Sequence, residues 1–156
     1  MADYLKPVVF RLDEQYYGID ISLVNGIETY QAISPVPNSF EYIKGILNIR
    51  NEVIPVYDLR KKFNMAKRHT SDEKSKLIVV RLSECQVAIE VDEVSDIHDF
   101  TEKDVVPMPK IVMNEKITFM DRVANYNGKL VVLLDVTRLL SEEEMEKVKK
   151  LKEDLK

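Results

Sequence analysis

VVFRLDEQYYGIDISLVNGI, residues 8–27, reappears seventy positions later as IVVRLSECQVAIEVDEVSDI, residues 78–97. Identical pairs include Arg11/Arg81, Leu12/Leu82, Ile19/Ile89 and Ile27/Ile97. Each copy begins with two β-rich runs that are separated by a polar turn, which is the pattern of a β-hairpin. Two similar β units in one short chain predict two packed lobes with a groove between them, a layout that favours binding over catalysis.

A second pair of matching segments follows the first. NIRNEVIPVYDLRKKF, residues 48–63, corresponds to NYNGKLVVLLDVTRLL, residues 125–140, and each predicts another hairpin. The turn of the second copy is Asn127-Gly128, which suits a type I′ turn because both central residues need positive φ. The first copy has Arg50-Asn51 at that place. Because arginine is an unusual turn residue, two interpretations of Arg50 stay open: a solvated side chain at a hairpin tip, or a functional residue.

The composition is that of an ordinary soluble domain. The chain has 156 residues, of which 45% are hydrophobic and 32% charged, so both copies are expected to share one compact unit. A net charge of -4 argues against nucleic-acid binding. A single cysteine, Cys85, fits a reducing compartment, and no apolar run is long enough to span a bilayer. We therefore expect a cytoplasmic protein without direct membrane insertion.

The organisation predicted from these patterns is one domain, residues 1–156, made of two lobes. Lobe one covers about residues 18–70 and lobe two about residues 74–141, while strands near residues 8–15 could pair with either lobe. The polar, charged stretch 64–76 lacks apolar periodicity and is expected to be the hinge between the copies.

Helical signals are few. Residues 22–27 and 92–97 each begin with a residue that can cap a helical turn, so each predicts a short helix or tight turn. The C-terminal segment 142–156 predicts an amphipathic α-helix, because Ser141 and Glu144 form a capping box at its start and Met145, Val148 and Leu155 follow helical spacing.

Catalytic and metal-binding patterns were sought and not found. His69 and His98 lie in polar stretches and form no ligand set with Cys85. The four glycines follow no phosphate-binding spacing. Asp58 and Asp135 are equivalent under the repeat, but each follows a strand, where an aspartate commonly closes a turn. We expect no cofactor, no metal site and no catalytic residue.

The segment YIKGILNIRNEVIPVYDLRKKF, residues 42–63, resembles the signature of the CheW family of bacterial chemotaxis coupling proteins. That signature runs roughly as G-V-x-N-L-R-G-x-I-V-P-V-x-D-L-R, and the matching residues are Gly45, Asn48, Arg50, Ile54, Pro55, Asp58, Leu59 and Arg60. The likeness continues through YGIDI, PVPNSFEYIKG, VAIEVDEVSDI, VVPMPK and LLSEEEM. It implies an all-β fold of two packed five-stranded SH3-like β-barrels with short helices and a C-terminal α-helix.

The resemblance also implies a function. Such a protein is an adaptor that couples the cytoplasmic tips of chemoreceptors to the regulatory domain of the histidine kinase CheA within a membrane-associated signalling array. The implied receptor-binding residues are Val24, Ile27, Gly45, Arg50 and Ile97. Val24 and Ile97 are equally compatible with plain core positions.

The kinase contacts that the resemblance implies fall on both lobes. Those on lobe one are Ile33, Val36 and Ile54, and those on lobe two are Val106, Lys110 and Ile111. Packing alone would also explain every apolar residue of this set.

The chain departs from the family pattern at two places. Asn51 stands where the family usually has glycine, and Gly26 replaces a glutamate that would pair with the signature arginine. Glu28 is a candidate replacement for that glutamate. Two other functions stay open: a generic SH3-like peptide-binding module, which the lack of tryptophan disfavours, and an unrecognised enzyme.

Overall fold

The computed structural model describes residues 6–36, 41–66, 73–82, 85–109 and 119–154. Within these ranges the strands are β1 Pro7–Leu12, β2 Gln15–Asp20, β3 Val24–Thr29, β4 Ile43–Ile49, β5 Glu52–Tyr57, β6 Lys76–Leu82, β7 Cys85–Val91, β8 Glu93–Ile97, β9 Val105–Pro107, β10 Met120–Tyr126 and β11 Lys129–Leu134. The α-helices are α1 Leu59–Lys62 and α2 Glu142–Asp154, and single 3-10 turns occur at Ile21–Leu23, Glu102–Asp104 and Val136–Arg138.

The strands form two sheets of equivalent topology. The first, in the order β3-β6-β7-β5-β4, is called barrel one, and the second, β8-β1-β2-β11-β10-β9, is called barrel two. The chain that leaves β3 closes barrel one, because Ser34 and Ile46 on β4 exchange backbone hydrogen bonds of 2.9 and 2.8 Å. The edge strands of barrel two, β8 and β9, are consecutive in the described chain. The predicted all-β fold of two packed barrels is confirmed, although barrel two has six strands among the described residues where five were expected.

Each barrel contains a hairpin from the other half of the chain, so the two halves exchange hairpins. The first hairpin, β1-β2, pairs through β2 with β11 in parallel, and Tyr17 lies opposite Val132. The second hairpin, β6-β7, pairs through β7 with β5, and Tyr57 lies opposite Ile89. The expected lobes, about residues 18–70 and about 74–141, are contiguous in sequence and therefore do not match this pairing. A repeat identifies similar segments, whereas pairing depends on which faces are buried together.

Alternation along the exchanged hairpins builds three connected cores. Val8 and Phe10 of β1 face a shared core between the barrels, whereas Val9 points into barrel two. On β6, Val80 faces the same shared core and Val79 points into barrel one. Because successive side chains of a strand point to opposite faces, both hairpins are buried on two sides and join the barrels into one body.

Both segments that were expected to be short helices contain strands. Residues 22–27 hold the end of a single 3-10 turn followed by β3, and residues 92–97 are mostly β8. These strands form because β3 and β8 pair with β6 and β1, which offer free edges. Tertiary pairing therefore overrides the local capping signal.

The predicted hairpin turns have the backbone that their positions require. Arg50 and Asn51 have φ values of 53° and 66°, and Asn127 and Gly128 have 51° and 84°. Positive φ at both central residues is the hallmark of a type I′ turn. Arg50 thus adopts a conformation that arginine rarely occupies, which keeps it of interest as a functional residue.

The C-terminal helix begins at the predicted capping box. The Ser141 amide donates to a Glu144 carboxylate oxygen at 3.0 Å, and the Glu144 amide donates to the Ser141 hydroxyl at 3.1 Å. On the helix, Met145 and Val148 pack against the shared core. The helix therefore covers its own protein, as the spacing of its apolar residues predicts, although residues 155–156 lie outside the described residues.

Candidate protein-binding surfaces

Two isoleucines lie exposed at the margin of the shared core. Ile27 on β3 is paired with Ile78, and Ile97 on β8 is paired with Val8. Ile78 and Val8 are fully buried in the shared core, while Ile27 is 36% and Ile97 43% exposed. Cross-strand partners share a sheet face, so both isoleucines lie on the face where the barrels meet. They provide an apolar surface along the predicted groove.

Val24 lies on the same face but is partly buried. It is paired with Val80 and packs against the shared core. Burial therefore supports the alternative interpretation of Val24, that it is a core residue. Ile97 is exposed instead, which separates two residues that sequence alone treated alike.

Arg50 forms an ion pair with Glu28. The two side chains approach to 3.0 Å, and the Arg50 side chain is 73% exposed. A Cβ atom added at Gly26 would lie 3.8 Å from the same guanidinium. Gly26 and Glu28 are two residues apart on β3 and so project to one face, from which the Glu28 carboxylate reaches the Arg50 guanidinium. Ile27, between them, projects to the other face.

Gly45 has a structural role that the resemblance did not suggest. It is paired with Val56, which faces the interior of barrel one. A side chain at Gly45 would overlap Ile33 and the Ser34 carbonyl, the contact that closes the barrel. Gly45 is therefore buried away from the exposed isoleucines, and its predicted direct receptor contact does not fit this geometry.

The expected kinase-binding residues of lobe one are covered to different extents. Ile54 is only 3% exposed inside barrel one, so a direct contact with another protein does not fit this structure. Ile33 is partly buried against the same core, and Val36 is partly buried against the shared core. Alternation along β5 places Ile54 inward, which the short apolar run around it could not reveal.

Barrel two carries a more exposed apolar surface. Val106 and Leu130 are both more than half exposed. Val123 on β10 lies opposite Val106 on one side and opposite Val132 on the other. Leu130 is two residues from Val132 on β11, so Leu130 and Val106 project to the same face of the sheet. Sequence analysis did not single out Leu130, because an exposed leucine beside a turn resembles a core residue. Lys110 and Ile111 lie outside the described residues.

A group of polar and aromatic side chains includes both sequence neighbours of Ile97. Asp96 accepts hydrogen bonds from His98 at 3.3 Å and from the Tyr126 hydroxyl at 3.4 Å. The His98 ring packs beside both Phe100 and Tyr126, with centroids 4.6 and 5.0 Å away. Sequence analysis missed this group because its members come from separate strands. It holds the residues on both sides of Ile97 in place.

Other chemistry is sparse in the part of the chain that the structure describes. Asp58 and Asp135 each accept a backbone hydrogen bond of 3.1 Å at the start of the helical turn that follows, the predicted structural role. No cluster of three or more histidine, cysteine or acidic side chains there has the arrangement of a metal site. Among the same residues, no helix has both the length and the apolarity that crossing a bilayer requires.

Comparison with known proteins decides the family. The model of the CheW-like domain matches residues 6–144. The chain belongs to the CheW family. The chemotaxis protein CheW of Klebsiella aerogenes is 33% identical over 139 residues, which cover 88% of this chain and 82% of that protein. The chemotaxis protein CheW of Treponema pallidum is 28% identical over 152 residues, which cover 96% and 89% of the two chains.

A solved CheW structure has the same fold. The crystal structure of the scaffolding protein TtCheW from Thermoanaerobacter tengcongensis superposes with a TM-score of 0.78 and 30% identity, covering 90% of this chain and 94% of that one. The resemblance inferred from residues 42–63 is thereby confirmed, together with the fold class and the general function of a CheW-type chemotaxis adaptor.

Proposed function

We propose that this chain couples the cytoplasmic tips of chemoreceptors to the regulatory domain of the histidine kinase CheA, and that it does so by binding alone. The observation that carries the proposal is the pair of exposed isoleucines, Ile27 and Ile97, beside the shared core of a double barrel. Exposed apolar side chains next to a groove between packed units are typical of a protein-binding site.

An amphipathic receptor helix is the partner that fits this surface. Such a helix presents apolar residues at i, i+3, i+4 and i+7, and it can place them in a shallow apolar groove. Ile27 and Ile97 would contact its apolar stripe. Arg50, held by Glu28 at the hairpin tip, would contact a polar or acidic residue at the edge of that stripe. Val24 supports the groove from within.

The kinase would bind elsewhere. Val106 and Leu130 form the more exposed apolar surface of barrel two, and Lys110 and Ile111 follow Val106 closely in sequence. Ile33 and Val36 are half-buried and could contribute the edge of a second kinase contact on barrel one. Apolar residues with a polar rim form the usual core of a specific interface.

Coupling requires that a change at one surface reaches the other. A ligand shifts an equilibrium only through its different affinities for the two states, so the body between the sites must not absorb the change. The exchanged hairpins and the shared core support this part of the proposal, because neither barrel is complete without strands from the other half of the chain. The adaptor would act in the cytoplasm and be recruited to receptors at the membrane.

The proposal is tested with a receptor-tip fragment and the isolated CheA regulatory domain, first separately and then together. The chain should bind each fragment and should retain the kinase domain on immobilised receptor tips. Ile97→Glu should abolish receptor binding and preserve kinase binding, whereas Leu130→Glu should do the reverse. A folded chain that binds neither fragment would contradict the proposal.

A further inference from the structure

Arg60 lies in an ionic network with Asp92, which is nearly buried, and with Asp13, whose side chain is 55% exposed. The Arg60 side chain is 12% exposed, and one guanidinium nitrogen donates to Asp13 at 2.7 Å and to Asp92 at 2.6 Å. The other terminal nitrogen donates to the Ala66 carbonyl at 2.9 Å. The Asp13 amide donates to the same Asp92 oxygen at 2.6 Å. Charge-assisted bonds of this length are strong, and the planar guanidinium fixes their directions.

The three charged residues come from different parts of the double barrel. Arg60 lies on α1, directly after the last strand that barrel one takes from the first half of the chain. Asp13 lies in the β1-β2 turn of barrel two. Asp92 lies where the chain passes from β7 in barrel one to β8 in barrel two. The guanidinium therefore ties the two barrels together at one end of their contact.

The repeat makes this network conspicuous. The positions that correspond to Arg60, Asp13 and Asp92 in the other copy hold Thr137, Ser83 and Ser22. Thr137 is exposed and donates to its neighbour Asp135. A second ionic network of the same kind is therefore not possible at those positions.

Aromatic packing continues the contact beyond Arg60. The Phe63 ring, at the end of α1, lies 5.1 Å from that of Tyr17 and 5.6 Å from that of Phe119, both from barrel two. Burial lowers the pKa of Arg60, but its hydrogen bond to Asp13 and the charge of Asp92 raise the pKa by more. The guanidinium therefore stays charged.

We propose that Arg60 is a positioning residue that fixes the angle between the two barrels and thereby transmits the receptor signal to the kinase, without contacting either partner. This inference rests on the proposed function. A buried ion pair contributes little to net stability but can select one arrangement among several, since a displaced charge would be left unpaired. The angle between the barrels is the geometry that connects the groove at Ile27 and Ile97 with the surface at Leu130.

The functional test uses Arg60→Lys, which keeps the charge but loses the planar guanidinium, whose one nitrogen reaches both aspartates while the other donates to the Ala66 carbonyl. The control is Arg138→Lys, because Arg138 pairs with Asp135 at 3.4 Å within one exposed turn. Affinities for the receptor tip and for the kinase domain should each stay within about twofold, while receptor-dependent kinase activation falls about tenfold with Arg60→Lys alone. Asp13→Asn should give a smaller loss. Equal losses of separate binding and of activation would overturn the inference.

A distance measurement tests the inference independently of the partners. Spin labels at Thr29→Cys on barrel one and Lys103→Cys on barrel two, in a Cys85→Ala background, report the separation of the barrels. The distance distribution should be narrow with Arg60 and broader or shifted with Arg60→Lys, while Arg138→Lys leaves it unchanged. An unchanged distribution with Arg60→Lys would contradict the inference, even if the chain binds both partners. A parent chain that binds neither fragment defeats the proposed function instead.

Discussion

Ile27 and Ile97 occupy the same position in the two sheets, seventy residues apart in sequence. Each lies on the strand that pairs with the first strand of an exchanged hairpin, and each lies opposite a residue of the shared core. The repeat thus places one exposed isoleucine on each side of the contact between the barrels. A single partner helix that runs along this contact would touch both.

Removing the Arg50 side chain should weaken receptor binding without weakening the fold. The pair with Glu28 is exposed, and such pairs contribute only about 0 to 1 kcal/mol to stability. Arg50→Ala should therefore lower the affinity for a receptor-tip fragment while the thermal midpoint stays almost unchanged. Arg138→Ala, which breaks another exposed pair, is the matched control and should change neither quantity. A comparable fall in the thermal midpoint for Arg50→Ala would refute the receptor role.

Gly45→Ala should destabilise barrel one. The new methyl group would overlap Ile33 and the Ser34 carbonyl, and overpacking of this kind costs about 1 to 3 kcal/mol. At Gly26, an added methyl lies 3.2 Å from a Glu28 carboxylate oxygen, the mobile end of a side chain, so Gly26→Ala should cost much less. Urea unfolding of both variants measures the difference. Equal stability of the two variants would show that Gly45 is not needed for barrel closure.

Tyr57 should make the protein less stable in alkali. Burial, followed by the negative charge of Glu144, raises the pKa of Tyr57 above its ordinary value of 10.0, and its hydroxyl donates to the Leu139 carbonyl at 3.3 Å. A raised pKa means that the folded state favours the neutral phenol. The contribution of Tyr57 to the free energy of unfolding is therefore complete below pH 10 and declines above it.

Tyr57→Phe therefore should cost about 1 kcal/mol at neutral pH through the lost hydrogen bond. The free energy of unfolding of the variant should also fall less steeply above about pH 10. Chemical unfolding at a series of pH values compares the two slopes. Parallel slopes for the variant and its parent would exclude Tyr57 as the titrating group.

The two hairpin turns should respond oppositely to substitution at corresponding positions. Gly128 has a φ of 84°, which a side chain disfavours, so Gly128→Ala should cost about 1 to 2 kcal/mol. Asn51 has a φ of 66°, and Asn51→Gly should be neutral or slightly stabilising because glycine adopts this backbone without strain. Thermal unfolding gives both values. A large loss with Asn51→Gly would show that the Asn51 side chain has a structural role.

Local signals in the sequence predicted most of the local structure, although the capping signals at residues 22–27 and 92–97 led to helical turns where strands β3 and β8 form. The hairpins, the two positive-φ turns and the capping box at Ser141 each depend on residues close together in the chain, and each is present. Pairing between distant strands was not predictable in the same way. The exchange of hairpins leaves every strand and turn intact, so it changes no local pattern, and contiguous lobes were the natural expectation.

The same distinction between local patterns and distant pairing applies to the candidate sites. Exposure of Ile97 and burial of Ile54 depend on which neighbouring strand covers each residue, and both belong to similar apolar runs. The sequence contains one sign of the ionic network of Arg60. At the three positions of the repeat that correspond to its charged residues, the chain has hydroxyl residues. A comparison of the copies for unmatched charges would have identified it.

The central claim is that this chain joins a receptor to a kinase by contact alone. The most direct measurement is phosphorylation by CheA in vesicles that contain a chemoreceptor, with and without the purified chain. The account predicts that kinase activity responds to receptor ligand only when the chain is present, and that Ile27→Glu combined with Ile97→Glu abolishes the response while the variant still binds the kinase. Two results would contradict this account: kinase activity that responds to receptor ligand without the chain, or an undiminished response to ligand with the double variant.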